Sequence, residues 1–349
     1  MESFYSKITR LLELKTPLPY TEFFSIINNV LNKLDVEKCN YREPSKNNEL
    51  GSLLDFTKEK SLPLIIVPDI HARTQFLKNI LDYKITPELK FLNNKKPISV
   101  FQALKNKKIR IICVGDALHT EVNTAERWLN IQQEFLENLH TGPAMTAEAR
   151  DCICTLSTLM LLKTIFPTNF HFLKGNHENI NNTTGNGNYS FRKLADEGNM
   201  IKTFIQEYYG DDILFLISCY EDSLPLIATT KNCVISHAEP RTTYTKDELI
   251  NAKTNPQIIE DLTWTTNGEA EENSAKTIIT NLISDKSNAK YFAGHRPVKE
   301  NFKALQNDIF YQIHNPHKQN IVLIYNNKPF NPETDIIGVD QWVTIFHKW

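Results

Sequence analysis

The feature that most constrains this chain is a short apolar segment that ends abruptly in polar side chains. Residues 170–173 (Phe-His-Phe-Leu) have the length and composition of a buried β-strand. The segment breaks at Gly175 and continues into Asn176, His177 and Glu178, which can bind a metal ion or transfer a proton. In open α/β sheets, ligands collect beyond the carboxyl ends of the strands. The pattern therefore predicts a strand that places a functional site at its carboxyl end.

Four further apolar segments end in the same way. They are residues 64–67, followed by Asp69 and His71; 109–114, followed by Asp116; 233–236, followed by His237; and 291–293, followed by His295. One such ending would mean little, because an isolated histidine after a strand is more often structural than a ligand. Five endings together predict a single cluster.

Length and composition limit the class of protein. A chain of 349 residues exceeds the usual size of a single core, so we expect a helical N-terminal extension (1–60) followed by one large domain (61–349). Hydrophobic residues make up 41% of the chain, which is enough to bury a core. A formal net charge of −2 provides no basic surface, so we expect no nucleic-acid binding.

Alternating strand and helix signals favour a layered α/β (α+β) fold. Helical spacing of apolar residues predicts helices at 4–12, 23–34, 74–81, 126–139, 147–165 and 191–209, with the N-terminal segment helical to about residue 60. Further strands are predicted at 214–218, 226–229, 310–313, 321–325 and 342–346. The polar insertion 82–108 is interpreted as a solvated loop, with a docking surface for an acidic partner as the alternative.

The six cysteines lie mostly in apolar segments and match no zinc or disulfide spacing, so we expect reduced thiols. The first ten residues lack the pattern of a signal peptide, and no apolar run reaches about 18 residues. These observations predict a cytoplasmic protein that does not bind membranes, and they leave the oligomeric state open.

The polar strand ends form a donor set suited to two metal ions. Asp69 and His71 are one residue apart, so both side chains can bind one ion, and Asp116 can bridge to a second. Asn176, His237 and His295 are neutral donors for that second ion. Oxygen and imidazole ligands without thiolate favour Mn, Fe or Zn. Two ions about 3.5–4 Å apart can clamp the attacking and leaving oxygens of an in-line displacement, and phosphoester hydrolysis is the reaction that most needs this.

The same blocks, in the same order, resemble the signature of the calcineurin-like metallophosphoesterase superfamily. The matching blocks are Asp69-Ile70-His71, Gly115-Asp116, Gly175-Asn176-His177-Glu178, Ser236-His237-Ala238 and Gly294-His295. Within the superfamily the chain is most similar to the PPP-type Ser/Thr protein phosphatases. Pro297, which stands where other branches have a second histidine, supports that placement.

The resemblance implies a fold, a cofactor and residue roles. It implies a two-sheet β-sandwich flanked by helices, with two divalent or mixed-valence ions (Mn²⁺, Fe²⁺/Fe³⁺ or Zn²⁺). Asp69, His71 and Asp116 would bind the first ion, and Asn176, His237 and His295 the second, with Asp116 bridging. A hydroxide between the ions would attack the phosphorus, and His177 would protonate the leaving oxygen. Glu178 would support the site without binding an ion.

The chain departs from the family at its phosphate-binding positions. His119, Thr120 and Glu121 replace the Asp-Arg-Gly motif, so the carboxylate that orients the general acid and one phosphate-binding arginine are both absent. Arg73 and Arg296 are the candidate replacements, with Arg192 and Arg241 less favoured, and each could instead be a surface ion-pair residue. Asn176 and His119 complete the candidate substrate contacts, although His119 could instead hydrogen-bond in the neighbourhood of His177 or cap a helix.

Three functions remain open from the sequence. The favoured one is a metal-dependent phosphatase that acts on phosphomonoesters, above all on Ser/Thr phosphoproteins. The second is a phosphoesterase for nucleotides or dinucleoside polyphosphates, suggested by the absent arginines and the insertion. The third is an inactive metal-binding scaffold.

Overall fold

A computed structural model describes residues 3–37, 40–85, 97–122, 124–325 and 328–340. Within these ranges two large β-sheets pack face to face, and helices cover the outer face of each sheet. This arrangement confirms the layered α/β sandwich predicted from the sequence. The functional interest of the fold lies in the strand ends that it brings together.

The first sheet has five strands in the order β13-β12-β2-β5-β6. Three of them, β2, β5 and β6, are parallel neighbours, and β12 pairs antiparallel with β2. Every residue of the three parallel strands is buried, as expected for strands covered on both faces. The strands are β2 (Leu64–Val67), β5 (Arg110–Cys113), β6 (Phe170–Phe172), β12 (Asn320–Ile324) and β13 (Ile336–Gly338).

The second sheet has six strands in the order β1-β7-β8-β9-β11-β10. Its central strands β8, β9 and β11 are parallel to one another, so their carboxyl ends lie at one edge. The strands are β1 (Leu53–Asp55), β7 (Ile227–Thr229), β8 (Cys233–Ser236), β9 (Lys290–Ala293), β10 (Lys303–Leu305) and β11 (Phe310–Gln312). A separate antiparallel pair is formed by β3 (Lys84–Ile85) and β4 (Ile98–Ser99).

The core between the sheets follows from the two-residue alternation of side chains along each strand. Ile66 and Ile112 of the first sheet pack in one hydrophobic cluster with Ile235 and Phe292 of the second. Their neighbour Ile65 points the other way and packs against the helices. Each sheet therefore has apolar contacts on both faces.

Eight helices cover the first sheet, and the longest of them lies at the centre of that layer. The helices are α1 (Phe4–Leu12), α2 (Tyr20–Asp35), α3 (Thr74–Asp82), α4 (Val100–Lys105), α5 (Ala125–Leu136), α6 (Pro143–Ile165), α7 (Glu197–Tyr209) and α8 (Asp211–Ser223). The sequence predicts an amphipathic α6, but every residue from Cys152 to Lys163 is buried. Helices α1 and α2 contact α6, which explains its burial on more than the sheet-facing side.

Shorter helices cover the second sheet. They are α9 (Lys246–Ile250), α10 (Pro256–Thr263) and α11 (Ser274–Leu282), with one 3₁₀ turn at Ala252–Thr254. A further short helix, α12 (Pro332–Asp335), lies beside β12 of the first sheet. Leu249, Ile258, Leu262 and Ile278 pack against the second sheet in a cluster separate from the core between the sheets. None of these helices was predicted from the sequence.

Several predicted elements are corrected by the structure. Residues 214–218 belong to α8 and not to a strand, because Ile213, Leu214, Ile217 and Tyr220 are buried at helical spacing. The helix predicted at 191–209 begins only at Glu197. The insertion 82–108 contains β3, β4 and α4 among its described residues, so it is not a simple loop. The strand predicted at 342–346 lies outside the described residues.

The N-terminal segment is helical where predicted but is not helical throughout. Helices α1 and α2 are present, whereas Leu53–Asp55 forms β1, which pairs in parallel with β7. Ile8, Phe23 and Ile27 lie in the same hydrophobic cluster as α6 and β2. The domain boundary near residue 60 stays a prediction.

No helix within the described ranges has both the length and the apolar character needed to cross a membrane.

Candidate metal centre

Polar side chains from both sheets converge where the parallel strands end. Asp69 and His71 follow β2, Asp116 follows β5, and Asn176 and His177 follow β6. His237 follows β8 and His295 follows β9 in the other sheet. The structure therefore brings together all six residues predicted to bind metal.

One group of side chains surrounds the Nε2 atom of His71. This atom lies 3.8 Å from Asp69 Oδ2 and 3.6 Å from Asp116 Oδ2. All three side chains are buried. This group corresponds to the predicted first metal position.

A second group surrounds the side-chain oxygen of Asn176. His237 Nε2 lies 2.8 Å from Asn176 Oδ1, and His295 Nδ1 lies 3.0 Å from it. Asp116 Oδ2 is 3.4 Å from His237 Nε2, so this carboxylate oxygen faces both groups. The position of Asp116 supports the predicted bridging role.

Two of the histidines have their ring orientation fixed by main-chain carbonyls. His71 Nδ1 lies 3.1 Å from the carbonyl oxygen of His119 and 3.2 Å from that of Leu118, and His237 Nδ1 lies 3.2 Å from that of Val114. A carbonyl oxygen can only accept, so in both rings Nδ1 carries the proton and Nε2 carries a lone pair. Both lone pairs point into the cluster of carboxylates, as expected of a metal-binding histidine.

The donor set fits metal ions and leaves buried charge uncompensated without them. The lone pairs of His71 Nε2 and His237 Nε2 lie 3.4–3.8 Å from carboxylate oxygens of Asp69 and Asp116. Asp69 Oδ1 is buried with no hydrogen-bond partner among the described residues. Burial raises the pKa of Asp69 to about 7 and raises the pKa of Asp116 well above its usual range. A cation at this point would stabilise the ionised carboxylates.

The backbone of these strand ends is strained where the ligands are attached. His71, Asp116, His119 and His295 have φ values of 46°, 56°, 63° and 62°, in the left-handed region that side chains with a Cβ rarely adopt. Such residues cost about 1–3 kcal/mol each and cluster at functional sites, where the surrounding structure holds them in place. This strain is independent support for a functional site here.

Two glycines allow the strand ends to approach closely. A Cβ added to Gly294 would lie 1.7 Å from Asp69 Oδ1, and one added to Gly175 would lie 2.2 Å from Asp116 Oδ1. No larger residue fits at either position without displacing a candidate ligand. The glycines in the sequence blocks therefore have a steric role.

Glu178 fastens the loops after β5 and β6 to each other. Its carboxylate accepts hydrogen bonds from the main-chain amides of Asp116, Ala117 and Gly175 at 2.9, 2.8 and 2.7 Å. Every one of these contacts is to the main chain, as expected for a supporting residue that binds no ion. The carboxylate thereby fixes the backbone that carries Asp116.

His177 lies beside the candidate metal ligands and is paired with His119. Their Nδ1 atoms are 2.8 Å apart, and the Nε2 atom of His177 is 3.6 Å from Asp116 Oδ2. The ring of Phe191 covers both imidazoles, with centroid distances of 3.7 Å to His177 and 5.0 Å to His119. Burial, reinforced by His71 and His119, holds the pKa of His177 well below its usual range. His119 therefore contacts the candidate general acid.

The predicted phosphate-binding role of Arg73 disagrees with the position of its side chain. The guanidinium donates hydrogen bonds to main-chain oxygens on all three nitrogens, including those of Asp69 at 2.6 Å and Lys318 at 2.9 Å. It also stacks on Phe76. These contacts favour a structural role, which links the loop after β2 to the segment before β12.

Arg296 remains the better-placed arginine. Its side chain makes no ion pair with any residue in the described part of the chain, and its Nε atom is buried without a hydrogen-bond partner there. Its positive charge lies close enough to His295 to add to burial in lowering the pKa of that imidazole to about 3. By contrast, Arg192 pairs with Asp196, and Arg241 pairs with Glu260 and Glu269.

Two residues that the sequence interpretation left out lie against the first group. Glu121 Oε2 is 3.4 Å from His71 Nε2, and His314 Nδ1 is 3.8 Å from Asp69 Oδ2. The signal for His314 was present, because it follows an apolar strand as the other histidines do. Glu121 has no such signal, since it comes five residues after Asp116 in a loop.

Aromatic side chains border the second group. Trp264 lies 6.3 Å from His295 between ring centroids, and Tyr189 packs edge-on against Trp264 at 5.3 Å. Tyr189 is 42% exposed. Together with Phe191 these rings give the site an apolar border.

Comparison with known proteins supports the fold. No protein-family model and no curated protein sequence matches the chain. Among solved structures, a protein serine/threonine phosphatase from Saccharomyces cerevisiae with similarity to human phosphatase PP5 superimposes with a TM-score of 0.54 at 13% identity, over 92% of this chain and 89% of that one. A cold-active protein-tyrosine phosphatase of a psychrophilic Shewanella species gives a TM-score of 0.44 at 14% identity, over 79% and 78% of the two chains. The sheet topology, the convergent Asp and His side chains and the first of these superpositions together show that the chain has the fold of the calcineurin-like metallophosphoesterases.

Proposed function

We propose that this protein is a metal-dependent phosphoesterase that hydrolyses phosphomonoesters, with Ser/Thr phosphoproteins as the first candidate substrates. The observation that carries the proposal is the placement of Asp116 Oδ2, which faces His71 Nε2 at 3.6 Å and His237 Nε2 at 3.4 Å. One carboxylate oxygen thus lies between two groups of candidate ligands, the first from one sheet and the second from both.

Asp69, His71 and Asp116 would hold one ion, and Asp116, Asn176, His237 and His295 would hold the other. Two such ions supply charge for the phosphoryl oxygens and activate water near neutral pH. The protein contributes a buried, preorganised frame in which the ligands are already oriented by main-chain contacts.

His177 is the proposed general acid. When the His119–His177 pair carries one extra proton, His177 has N–H groups on both ring nitrogens. Its Nδ1–H then donates a hydrogen bond to His119 Nδ1, and its Nε2–H points toward the site, where it can protonate the leaving oxygen. Phe191 shields this pair from water on one side.

Arg296 is the proposed phosphate-binding residue. Phosphate recognition needs fork-shaped, charged donors, and Arg296 is a cation beside the second group that makes no ion pair with the described residues. His119 and Asn176 line the same region and stay candidates for substrate contact.

A small-molecule phosphoesterase is the second candidate function. The border formed by Trp264 and Tyr189 offers aromatic faces that could stack on a nucleobase, as aromatic side chains do in single-stranded nucleic-acid sites. A nucleotide or dinucleoside polyphosphate would place its phosphates at the ligand groups and its base on this border.

The test is hydrolysis of p-nitrophenyl phosphate by metal-free protein supplied with Mn²⁺, Fe²⁺ or Zn²⁺ in turn. We expect turnover that is lost on chelation and in the Asp116→Asn variant, while exposed Asp340 changed to Asn leaves it intact. A panel of phosphopeptides and nucleotides then separates the two candidate functions by kcat/KM. Absence of turnover with every ion and substrate, in protein that binds metal, would favour the inactive scaffold and contradict the proposal.

A further inference from the structure

Glu121 and His314 lie at the first ligand group without belonging to the six predicted ligands. Glu121 Oε2 is 3.4 Å from His71 Nε2 and 3.1 Å from His314 Nε2. The side chain of Glu121 is 10% exposed, and that of His314 is fully buried. The two residues come from different sheets, because Glu121 follows β5 and His314 follows β11.

The surroundings of His71 Nε2 suit a cation. Because Nδ1 of this ring carries the proton, Nε2 offers only a lone pair. Three carboxylate oxygens face that lone pair, from Glu121 at 3.4 Å, Asp116 at 3.6 Å and Asp69 at 3.8 Å. A positive ion between these four atoms would stabilise the grouping, because each of them can act as a ligand.

The second, independent observation concerns His314. Its Nε2 atom is within hydrogen-bonding distance of Glu121 Oε2, so Nε2 carries the proton and donates it to that carboxylate. The other ring nitrogen, Nδ1, then has a lone pair, and it is buried with no hydrogen-bond partner among the described residues. It lies 3.8 Å from Asp69 Oδ2, on the side of the ring that faces the ligand group.

A competing explanation is that Glu121 serves only as the partner of Lys193. Lys193 Nζ lies 2.7 Å from Glu121 Oε1, but the lysine side chain is 49% exposed. A half-exposed ion pair contributes little to stability, because solvent screens the two charges. It also occupies only the outer oxygen and leaves the inner one, Oε2, facing His71. Lys193 therefore does not explain why a carboxylate lies at this point.

We propose that Glu121 and His314 are further protein ligands of the first ion, in addition to Asp69, His71 and Asp116. That position would then have five protein donors, three carboxylates and two imidazoles. The second position would have four, since Asp116 is shared with Asn176, His237 and His295. The inference rests on the proposed function only in placing an ion at the first position.

Unequal binding of the two ions follows. The first ion, with one more protein ligand and two more carboxylates, would be held more tightly and would have fewer positions open to water. The second ion exchanges more readily and is the more open to an incoming oxygen of the substrate. Three carboxylates with two imidazoles suit Mn²⁺, Fe²⁺ or Zn²⁺.

The test measures binding of Mn²⁺ and Co²⁺ to the chelated full-length chain by calorimetric titration, together with the visible absorption of the Co²⁺ form. We expect two ions of different affinity in the wild type. Glu121→Gln and His314→Gln should each weaken the tighter ion by roughly 10–100-fold and change the Co²⁺ band intensity, which reports the coordination number. His317→Gln and Glu126→Gln, which alter exposed residues of the same types, should bind as the wild type does.

The Lys193→Met variant distinguishes a Glu121 that binds the ion from a Glu121 that only pairs with Lys193. Because the Lys193 side chain is 49% exposed, we expect the variant to fold. If Glu121 binds the ion, removing Lys193 should leave the affinity unchanged or raise it, because a competing cation is lost. Wild-type affinity and Co²⁺ spectrum in both Glu121→Gln and His314→Gln would overturn the inference. If the wild type hydrolyses phosphate esters but neither substitution changes metal binding, the proposed function stands and this inference fails. If both substitutions weaken metal binding but the wild type hydrolyses no phosphate ester, this inference stands and the proposed function fails.

Discussion

At the scale of single residues, the site depends on a few atoms that cannot be moved independently. Asp69 Oδ2 accepts a hydrogen bond from the main-chain amide of His295 at 2.9 Å, so a candidate ligand of the first group also fixes the backbone of one in the second. The glycine before His295 leaves room for Asp69 Oδ1. Asp69 therefore connects the two groups through both of its oxygens.

The Gly294→Ala variant tests this packing. The added methyl would overlap Asp69 Oδ1, so the carboxylate must turn away, and we expect metal affinity to fall by roughly 10–100-fold. Gly185→Ala is the control, because a Cβ there meets nothing within 4 Å and adds only backbone strain at φ 113°. Calorimetric titration of Mn²⁺ into both variants measures the difference. Equal affinities would show that Asp69 adapts freely.

The Arg296→Ala variant tests phosphate recognition. A charged hydrogen bond contributes about 1.5–3 kcal/mol, so its loss should lower kcat/KM for p-nitrophenyl phosphate about 10–100-fold while metal binding is preserved. Arg192→Ala is the matched control, since Arg192 is 66% exposed and pairs with Asp196. Similar kinetics for the two variants would exclude Arg296 from substrate binding.

At the scale of elements, a buried charge cluster joins the end of α2 to α6. Glu37 forms an ion pair with Lys163 of α6. It forms a second one with Arg42, whose Nη1 lies 2.7 Å from Glu37 Oε2. The Glu37 side chain is 3% exposed. His171 of β6 adds a ring nitrogen 3.2 Å from Lys163 Nζ. The cluster ties the N-terminal helices to the first sheet by charge as well as by apolar contact.

Glu37→Gln should destabilise the fold by about 3–5 kcal/mol, because it leaves two buried cations without their carboxylate. Glu22→Gln, which breaks the more exposed pair with Arg10, should cost less than about 1 kcal/mol. The free energy of unfolding from urea titration measures both. Comparable small losses would mean that the buried cluster adds nothing to stability.

The same carboxylate sets a pH dependence. Burial opposes ionisation of Glu37, but Lys163 and Arg42 outweigh it and lower its pKa from 4.5 to about 2. Its contribution to stability is therefore present above pH 4.5 and lost as the pH falls toward about 2, by about 3 kcal/mol in total. This part of the acid sensitivity should be absent from Glu37→Gln.

The elements also show what the sequence could predict. Segments whose strand pattern ends at a polar residue were located within one or two residues, because a buried strand needs an apolar run and a site needs its polar end. Residues 214–218 were misassigned because five apolar or small residues satisfy either a strand or one face of a helix, and the contacts with α7 decide between them. Helices α9 to α11 were missed because their apolar patterns are short.

The convergence of the candidate ligands was predictable where they follow strands and unpredictable where it depends on loop packing. Asp69, His71, Asp116, Asn176 and His237 are brought together as their positions in the sequence indicate. The main-chain contacts of Arg73, which favour a structural role over the predicted phosphate binding, depend on the segment near Lys318, about 245 residues further along the chain. Sequence spacing carries no information about such a contact.

At the scale of the whole molecule, the N-terminal helices contribute to the main core. Phe23 is fully buried and packs edge-on against Tyr209 of α7, whereas its neighbour Phe24 is 40% exposed. If residues 1–60 formed an independent extension, loss of one aromatic ring there would leave the remaining domain unaffected.

Phe23→Ala should lower the free energy of unfolding by about 3–5 kcal/mol and shift a single cooperative transition. Phe24→Ala, with the same chemistry on the exposed face, should change it by less than about 1 kcal/mol. Urea unfolding followed by fluorescence and by circular dichroism measures both variants. Two separate transitions, only one of them sensitive to Phe23, would support an autonomous N-terminal unit.

The candidate ligands come from both halves of the sandwich, and this has a mechanical consequence. The first sheet supplies the loops that carry Asp69, Asp116 and Asn176, and the second supplies those that carry His237 and His295. Bound ions would link the two sheets at this edge. Each ion present at a hundred times its Kd would add about 2.7 kcal/mol to the free energy of unfolding. Chelation should therefore speed amide hydrogen exchange at the carboxyl ends of β5 and β9 together, while the amino ends of the same strands, which carry no candidate ligand, should exchange as before. Faster exchange at only one of these two strand ends would mean that the ions do not link the two sheets.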